Sequence, residues 1–351
     1  MPTAAQLTHG TFSPDELAPL IPSLFVPGQF LTLSCFPSIF EFDTAFVHFD
    51  RVLDDLRMAP LVAPLSPGKV HQPRGFQMET IVPASLKPKN PITADEVLAR
   101  LPGERLGGEM SASDRAAAVR EHYLMLHQAK IARRREWMAA SLLKTGQLVM
   151  SGDDYPSTTV NFSRDSDHSG TLGSTVEWGD SGVSPYDDPD NWLNLIGEAT
   201  GSAGDIVIMD RKAWALYIAD PKAQKALDRT LGQTNTALAL GFTPTVPGRP
   251  SFKGRDGDVE FYVYNDSYED DAGSAAKLLP DYTVICVSRA GLAGAQLYGV
   301  VQHADNNYQP GMYFAHNWVD PNTGAELIET ISAPILAPKR INATTCFTVK
   351  S

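Results

Sequence analysis

The chain has 351 residues, 43% hydrophobic and 20% charged, with a formal net charge of −12. That length outgrows one typical core, so two or more subdomains are expected. No apolar run nears the ~20 residues that cross a bilayer, which excludes a membrane-spanning helix. The acidic balance argues against a surface that grips nucleic acid, because such surfaces need phosphate-neutralising Lys and Arg.

The N-terminus lacks a basic leader followed by a long apolar block, so no signal peptide is expected and synthesis in a cytoplasm follows. Prolines at 14, 19, 22, 27, 37, 60, 64, 67, 73, 83, 88 and 91 punctuate the first quarter too densely for long helices or central strands. Between them Leu20, Leu24, Phe25, Phe30, Phe36, Phe40 and Phe42 are too apolar for a free linker. This stretch must lie against a large surface, either its own domain or a neighbouring subunit. Residues 61–92 read as two extended arms, 69–70 and 77–82, around the turn-prone Gln72-Pro73-Arg74-Gly75. Lys69, Arg74, Lys87 and Lys89 make this projection basic within an acidic chain, which fits an acidic docking partner, although single surface charges are ordinarily only solvated.

A helix is predicted next. Ser113 is placed as N-cap, residues 114–144 contain neither Pro nor Gly, and Gly146 supplies the stop. Leu124, Ile131, Met138 and Leu142 form one apolar stripe, while Arg133, Arg134 and Arg135 spread over other faces, where solvation or pairing with carboxylates is the ordinary fate. Residues 153–190 then hold nine acids against the single Arg164. Segments 158–162 and 174–178 are read as an acidic β-hairpin able to pair with the basic rod across a subunit boundary. From 191 onward strands at 205–209, 258–265, 282–288, 296–302 and 326–335 mix with helices at 211–218 and 222–229, giving an α+β domain.

No catalytic constellation is visible. The eight histidines show neither HExxH nor H-x-H, and His122 and His127 lie about 140° apart on a helix. His303, Asp305 and His316 are more simply polar loop residues than metal ligands, and Asp187-Asp188-Pro189-Asp190 lacks the Gly and Glu of an EF-hand loop. GxSxG and phosphate-loop motifs are absent. Cys35, Cys286 and Cys346 are odd in number, widely spaced and set among apolar or β-branched residues, as small buried hydrophobes are. No metal or cofactor is expected.

Several words occur in a telling order: Val176-Glu177-Trp178, Tyr186 to Asp190, Ile206 to Asp210 with Lys212, Trp214 and Leu216, Leu279-Pro280-Asp281, Leu297-Tyr298-Gly299 running to Asp305, His316-Asn317-Trp318-Val319, and Ser332 to Leu336. In that order and spacing the chain resembles the major capsid proteins of lambda-type tailed phages from about residue 111 to its end. The likeness is looser before that, resting on Ser66 to Val70, Gly75-Phe76 and Lys87-Pro88-Lys89.

The resemblance implies the Hong Kong 97-type capsid fold: an N-terminal arm (1–45), a peripheral segment (46–60), an extended loop (61–92) and a peripheral domain (93–190) with a spine helix at 113–144 and a hairpin at 153–180. An axial domain (191–319), a return through the periphery (320–334) and a terminal axial strand (335–351) complete it. It further implies a non-enzymatic homo-oligomer of pentamers and hexamers that encloses double-stranded DNA without sequence-specific binding. Decoration, portal and scaffold proteins are the implied partners, and the shell, assembled in the host bacterial cytoplasm, ends in the virion. Subunit contacts are expected at Phe25, Phe30, Phe36, Lys69, Arg74, Arg133, Arg134, Arg135, Asp187, Asp188 and Trp318. The rival readings are an encapsulin-like container and an intracellular α/β hydrolase with a dispersed triad.

Overall fold

The computed structural model describes residues 28–44, 46–52, 61, 76–99, 111–152, 155–226, 250–269 and 273–350. Gly28 opens it with φ +69°, a left-handed turn that glycine adopts without strain. A short helix, α1 (Phe30–Cys35), and strand β1 (Ser38–Glu41) follow, then an antiparallel pair, β2 (Val47–Val52) and β3 (Phe76–Ile81). Strand β4 (Lys89–Ile92) leads into α2 (Ala94–Leu98).

The long helix α3 (Ala112–Thr145) has 34 residues, about 50 Å of rod. Ser111 caps it, accepting from the Asp114 N–H, while the Asp114 carboxylate accepts from the Ser111 N–H. The predicted cap Ser113 is two residues too late: it lies inside the helix, where its hydroxyl meets that of Ser111. Gly146 ends the helix in the left-handed conformation, as predicted. The Arg164 guanidinium closes the same end by donating to the Leu143 carbonyl at 2.7 Å and to that of Lys144.

Strands β5 (Gln147–Gly152) and β6 (Tyr155–Asn161) form the hairpin after the rod. The expected pairing of 158–162 with 174–178 is not made. Strand β7 (Ser169–Thr171) instead runs parallel to the last strand, and Trp178 is buried in the core with its N–H bonded to the Val349 carbonyl. Helix α4 (Asp187–Thr200), β8 (Ile206–Met209) and α5 (Arg211–Ala219) come next, with 221–226 again helical. The remaining elements are β9 (Ser251–Asp256), β10 (Val259–Val263), β11 (Ser267–Glu269), β12 (Ala275–Lys277), β13 (Thr283–Val287), α6 (Arg289–Leu292), β14 (Ala295–Tyr298), β15 (Phe314–Val319), β16 (Glu326–Ile331), β17 (Pro334–Ala337) and β18 (Thr344–Thr348).

The principal sheet is six-stranded and mixed, in the order β7-β18-β13-β8-β10-β9. Its central strands β8 and β13 are buried at every position, which is why Ile-Val-Ile-Met and Thr-Val-Ile-Cys-Val run without polar alternation. A second sheet orders β1-β14-β17 and a third β15-β16-β4. The expected single strand at 326–335 is therefore two strands in two sheets, divided at Ser332-Ala333, and His316, expected in a loop, lies in strand β15.

Helix α3 joins two cores. Its first half packs Val119 and Leu124 with Ile92, Ala315 and Ile328 of the β15-β16-β4 sheet. Its second half sends Met138, Ala139, Leu142 and Leu143 into the large core shared with α1, the β5–β6 hairpin and the six-stranded sheet. All four stripe residues, Leu124, Ile131, Met138 and Leu142, are buried. α1 packs so closely on the turn before β14 that a Cβ on Gly294 would stand 2.3 Å from the Cys35 carbonyl oxygen. Gly294→Ala should therefore destabilise the chain by at least ~1–3 kcal/mol, measured as a lowered denaturant midpoint at unchanged slope.

Candidate functional site

Among the described residues no three His, Cys, Asp or Glu side chains gather as metal ligands. The cysteines are unpaired and buried. Burial pushes the Cys35 and Cys286 thiols up to about 12 and that of Cys346 to about 11, the reverse of what a thiolate nucleophile requires. A half-open cavity of about 120 Å³ lies between Ala84–Leu86, Trp137 and Met150, and no titratable pair converges on it. What the fold builds with care is a set of clamps.

The tightest clamp is at the middle of α3. Glu136 is 1% exposed, and its carboxylate accepts from the Leu31 N–H (2.7 Å), the Thr32 N–H (3.0 Å), the Thr32 hydroxyl (2.8 Å) and the Tyr264 hydroxyl (2.8 Å). It thus caps the N-terminus of α1 from a distant part of the chain. Burial raises its pKa and these four donors hold it down in part. Arg135, 4% exposed, donates to Gln296 Oε1 (3.2 Å), Tyr298 Oη (2.5 Å), Gln29 Oε1 (2.6 Å) and Tyr313 Oη (2.8 Å). Gln296 in turn donates to the Phe36 carbonyl at 2.9 Å.

Residues 29–36 are consequently integral to this chain's own core. Phe36 is fully buried and so is not available to a neighbouring subunit as expected, while Phe30 is half-buried and packs its ring 5.0 Å from Tyr262 and 5.9 Å from Tyr264. Arg135 is likewise committed inward. The signal for Arg135 was legible, since it stands four residues after Ile131 and three before Met138 and so lies on the apolar stripe; Glu136, about 140° from the centre of that stripe, carried no such signal. Arg133 is exposed, and Arg134 lies 4.8 Å over the Trp137 ring while donating to the Ser151 carbonyl. Phe25, Lys69 and Arg74 lie outside the described residues.

Asp187 and Asp188 open α4, a helix the sequence reading missed. Two acids before a proline and a third after it are the signature of a first helical turn, where acids favour the dipole and a missing N–H costs nothing. Asp187 pairs with Lys222 at 2.6 Å and Asp188 accepts from Trp178 Nε1 at 2.7 Å. Within this chain neither pairs with the arginines of α3; the expected pairing was between subunits. The helix's Arg120 instead makes a fork with Glu326 of β16, at 2.6 and 2.8 Å. Trp318 is half-buried on β15, stacked 4.9 Å from His316 with Lys89 5.8 Å above its ring.

The exposed candidates that sequence reading passed over are apolar. Leu33, Ile39, Phe40, Phe46 and Val82 are 45–62% exposed, and β1, which carries two of them, is an edge strand with every residue exposed. An apolar edge of this kind is a surface made for covering.

A long helix shared by two cores, an extended β2–β3 pair and a six-stranded mixed sheet define the Hong Kong 97-type capsid fold. The crystal structure of a prophage protein from Escherichia coli CFT073 superposes with a TM-score of 0.73 at 20% identity, covering 97% of this chain and 99% of that one. A phage-related protein from Bordetella bronchiseptica RB50 gives 0.51 at 13% identity over 96% and 97%. The chain belongs to the phage major capsid protein E family, which it matches over residues 13–349. It is 26% identical to the major capsid protein of Escherichia phage lambda over 342 residues, 96% of this chain and 95% of that protein, and 25% identical to that of Escherichia phage N15 over 86% and 88%. This is a family of capsid proteins, and membership favours the capsid reading over the container and hydrolase readings.

Glu136→Ala would leave two N–H groups and two hydroxyls without their acceptor inside the core. A loss of at least ~3 kcal/mol is expected from such orphaned donors, whereas Arg133→Ala on the exposed face should stay within about 0.5 kcal/mol; equilibrium urea unfolding of the two variants makes the comparison.

Proposed function

We propose that this chain builds the icosahedral head shell of a tailed phage, associating as pentamers and hexamers around double-stranded DNA in the host bacterial cytoplasm. Family membership over residues 13–349 carries the reading. The arm of the shell subunit is then the chain before Gly28 rather than all of 1–45, since 29–36 are clamped to α3. The extended loop is rooted in the β2–β3 pair, so it begins near Val47 rather than at 61. α3 is the spine helix of the peripheral domain, and the six-stranded sheet belongs to the axial domain.

Shell contacts are assigned to the exposed apolar edge, Ile39 and Phe40 with Leu33, and to the outward Arg133 and Trp318. Burial there contributes at about 25 cal/mol per Å², while rim charges set register more than energy. The net charge of −12 keeps the inner wall from gripping DNA and so favours filling. Decoration, portal and scaffold proteins complete the set of partners.

Expressed protein should elute as particles and show closed shells by electron microscopy; a chain that stays monomeric or dimeric overturns the reading. Phe40→Asp should abolish particles while circular dichroism and thermal midpoint remain near wild type, because the residue is exposed within its own chain. Arg133→Glu should reduce assembly yield without unfolding the subunit.

A further inference from the structure

The β15-β16-β4 sheet carries a concentration of buried histidine that the clamps above do not use. His303 and His316, set aside in sequence as loop residues, have ring centroids 4.2 Å apart. His316 is 7% exposed and sandwiched between His303 and Trp318. Its Nε2 stands 3.5 Å from Glu329 of β16, and its Nδ1 finds no hydrogen-bond partner among the described residues. His127, fully buried on α3, bridges the two other strands: Nε2 to Asn90 of β4 at 3.0 Å and Nδ1 to Thr330 of β16 at 3.1 Å.

We propose that the β15-β16-β4 sheet and the first half of α3 form an acid-sensitive module, held closed by the His127 bridge and by the stack of His316 on His303 and Trp318. Acid loosens this module while the six-stranded core stays folded.

The charges facing each ring set the direction. Around His316 stand His303 and Asp305 from the preceding loop, Glu329 from β16, and Lys87 before β4, with Lys89 over the neighbouring Trp318 ring. Around His127 stand Lys130 on its own helix and the uncharged Asn90 and Thr330 on the sheet, so no carboxylate touches the ring. Burial pushes both imidazoles from 6.5 down to about 4; His303 and Lys87 lower His316 further against an opposing Asp305, and Lys130 lowers His127. A folded-state value below the unfolded one means that the open form takes up the proton. Each ring's contribution is therefore complete above about pH 6.5 and drains away as pH falls toward about 4. No histidine lies in β8, β10 or β13; among the described residues the histidine packed on the six-stranded sheet is His168, at its far edge beside β7, with Nδ1 3.2 Å from the Thr344 carbonyl, so the central strands carry no such group.

Amide hydrogen exchange on the full-length protein, corrected for intrinsic rate and run between about pH 7.5 and about pH 4.5, tests this whether or not shells form. For a histidine shifted from 6.5 to about 4, opening should rise about 30-fold by pH 5. Peptides over Lys89–Ile92, Phe314–Val319 and Glu326–Ile331 should lose protection first, with Ile206–Met209 and Thr283–Val287 retained. His316→Phe, which keeps the stack and cannot titrate, should remove one such factor, and His127→Gln the other. Loss of protection in all strands together, or an unchanged acid response in His316→Phe, overturns the proposal. Should a variant fail to fold, the segment-by-segment order in the wild-type chain decides alone.

Discussion

The fold depends on the need to bury two opposite charges, Arg135 and Glu136, at consecutive positions of one helix. Adjacent helical residues point about 100° apart, so the two groups cannot neutralise each other by a shared fork and each needs its own partners. Glu136 takes its donors from α1 and Tyr264, and Arg135 takes its acceptors from Gln29, Gln296, Tyr298 and Tyr313. Four distant parts of the chain are thereby required at one level of the helix. An ionised group of this kind stabilises little on net but penalises any arrangement that leaves it unpartnered. Its effect is to select one register of α1 and β14 against α3, which the apolar stripe alone would leave free to slide.

That register fixes what lies on either side. Toward the N-terminus of α3 the helix is held by a few apolar residues together with polar contacts, Arg120 to Glu326, Tyr123 to Glu96 and His127 to Asn90 and Thr330. Toward the C-terminus it is held by a deep apolar core in which Trp178, Trp192 and Phe347 stack in sequence. Burial gives the second half a non-directional stabilisation that survives small displacements, whereas the first half depends on directional bonds that either form or fail. The two halves should therefore differ in how readily they open, with β4, β15 and β16 in the looser one, whereas the base of the β2–β3 pair, Val47 and Ile81, sits in the deeper core.

Much of this was legible in the chain itself. The 3.6-residue period, the absence of Pro and Gly, and the stop at Gly146 located α3 to within two residues at each end, and the strands at 206–209, 259–263 and 283–287 were visible as short apolar runs. The errors share a physical cause, which is partner choice. Residues 158–161 do form a strand, yet nothing local tells that it pairs backward with 147–152 rather than forward with 174–178. Likewise 326–335 reads as one extended run because the break at Ser332-Ala333 is imposed by two different sheets. The missed helix α4 was a misreading of chemistry: four residues rich in Asp were weighed as a cation loop when their order around Pro189 described a helix start. For contacts, charge drew attention that belonged to exposure, since Arg135 is buried and Phe40 is not.

A shell subunit must satisfy two demands that pull apart: a rigid frame whose geometry is copied many times, and surfaces that remain available until a neighbour arrives. The chain separates them along its length. Rigid elements are tied by buried polar clamps near α1, at the Arg164 closure of α3 and at Asp210, which caps α5 and also accepts from the Tyr282 N–H; each joins segments separated in sequence. The uncovered surface is concentrated immediately beside the first of these clamps, on β1, whose four residues are all exposed although its neighbour β14 is largely buried. An edge strand left apolar is an aggregation hazard in a protein meant to stay single. Here Gln296 and Arg135 lock the strand behind it, so the edge is presented at a fixed height and angle, and the hazard becomes a directed contact.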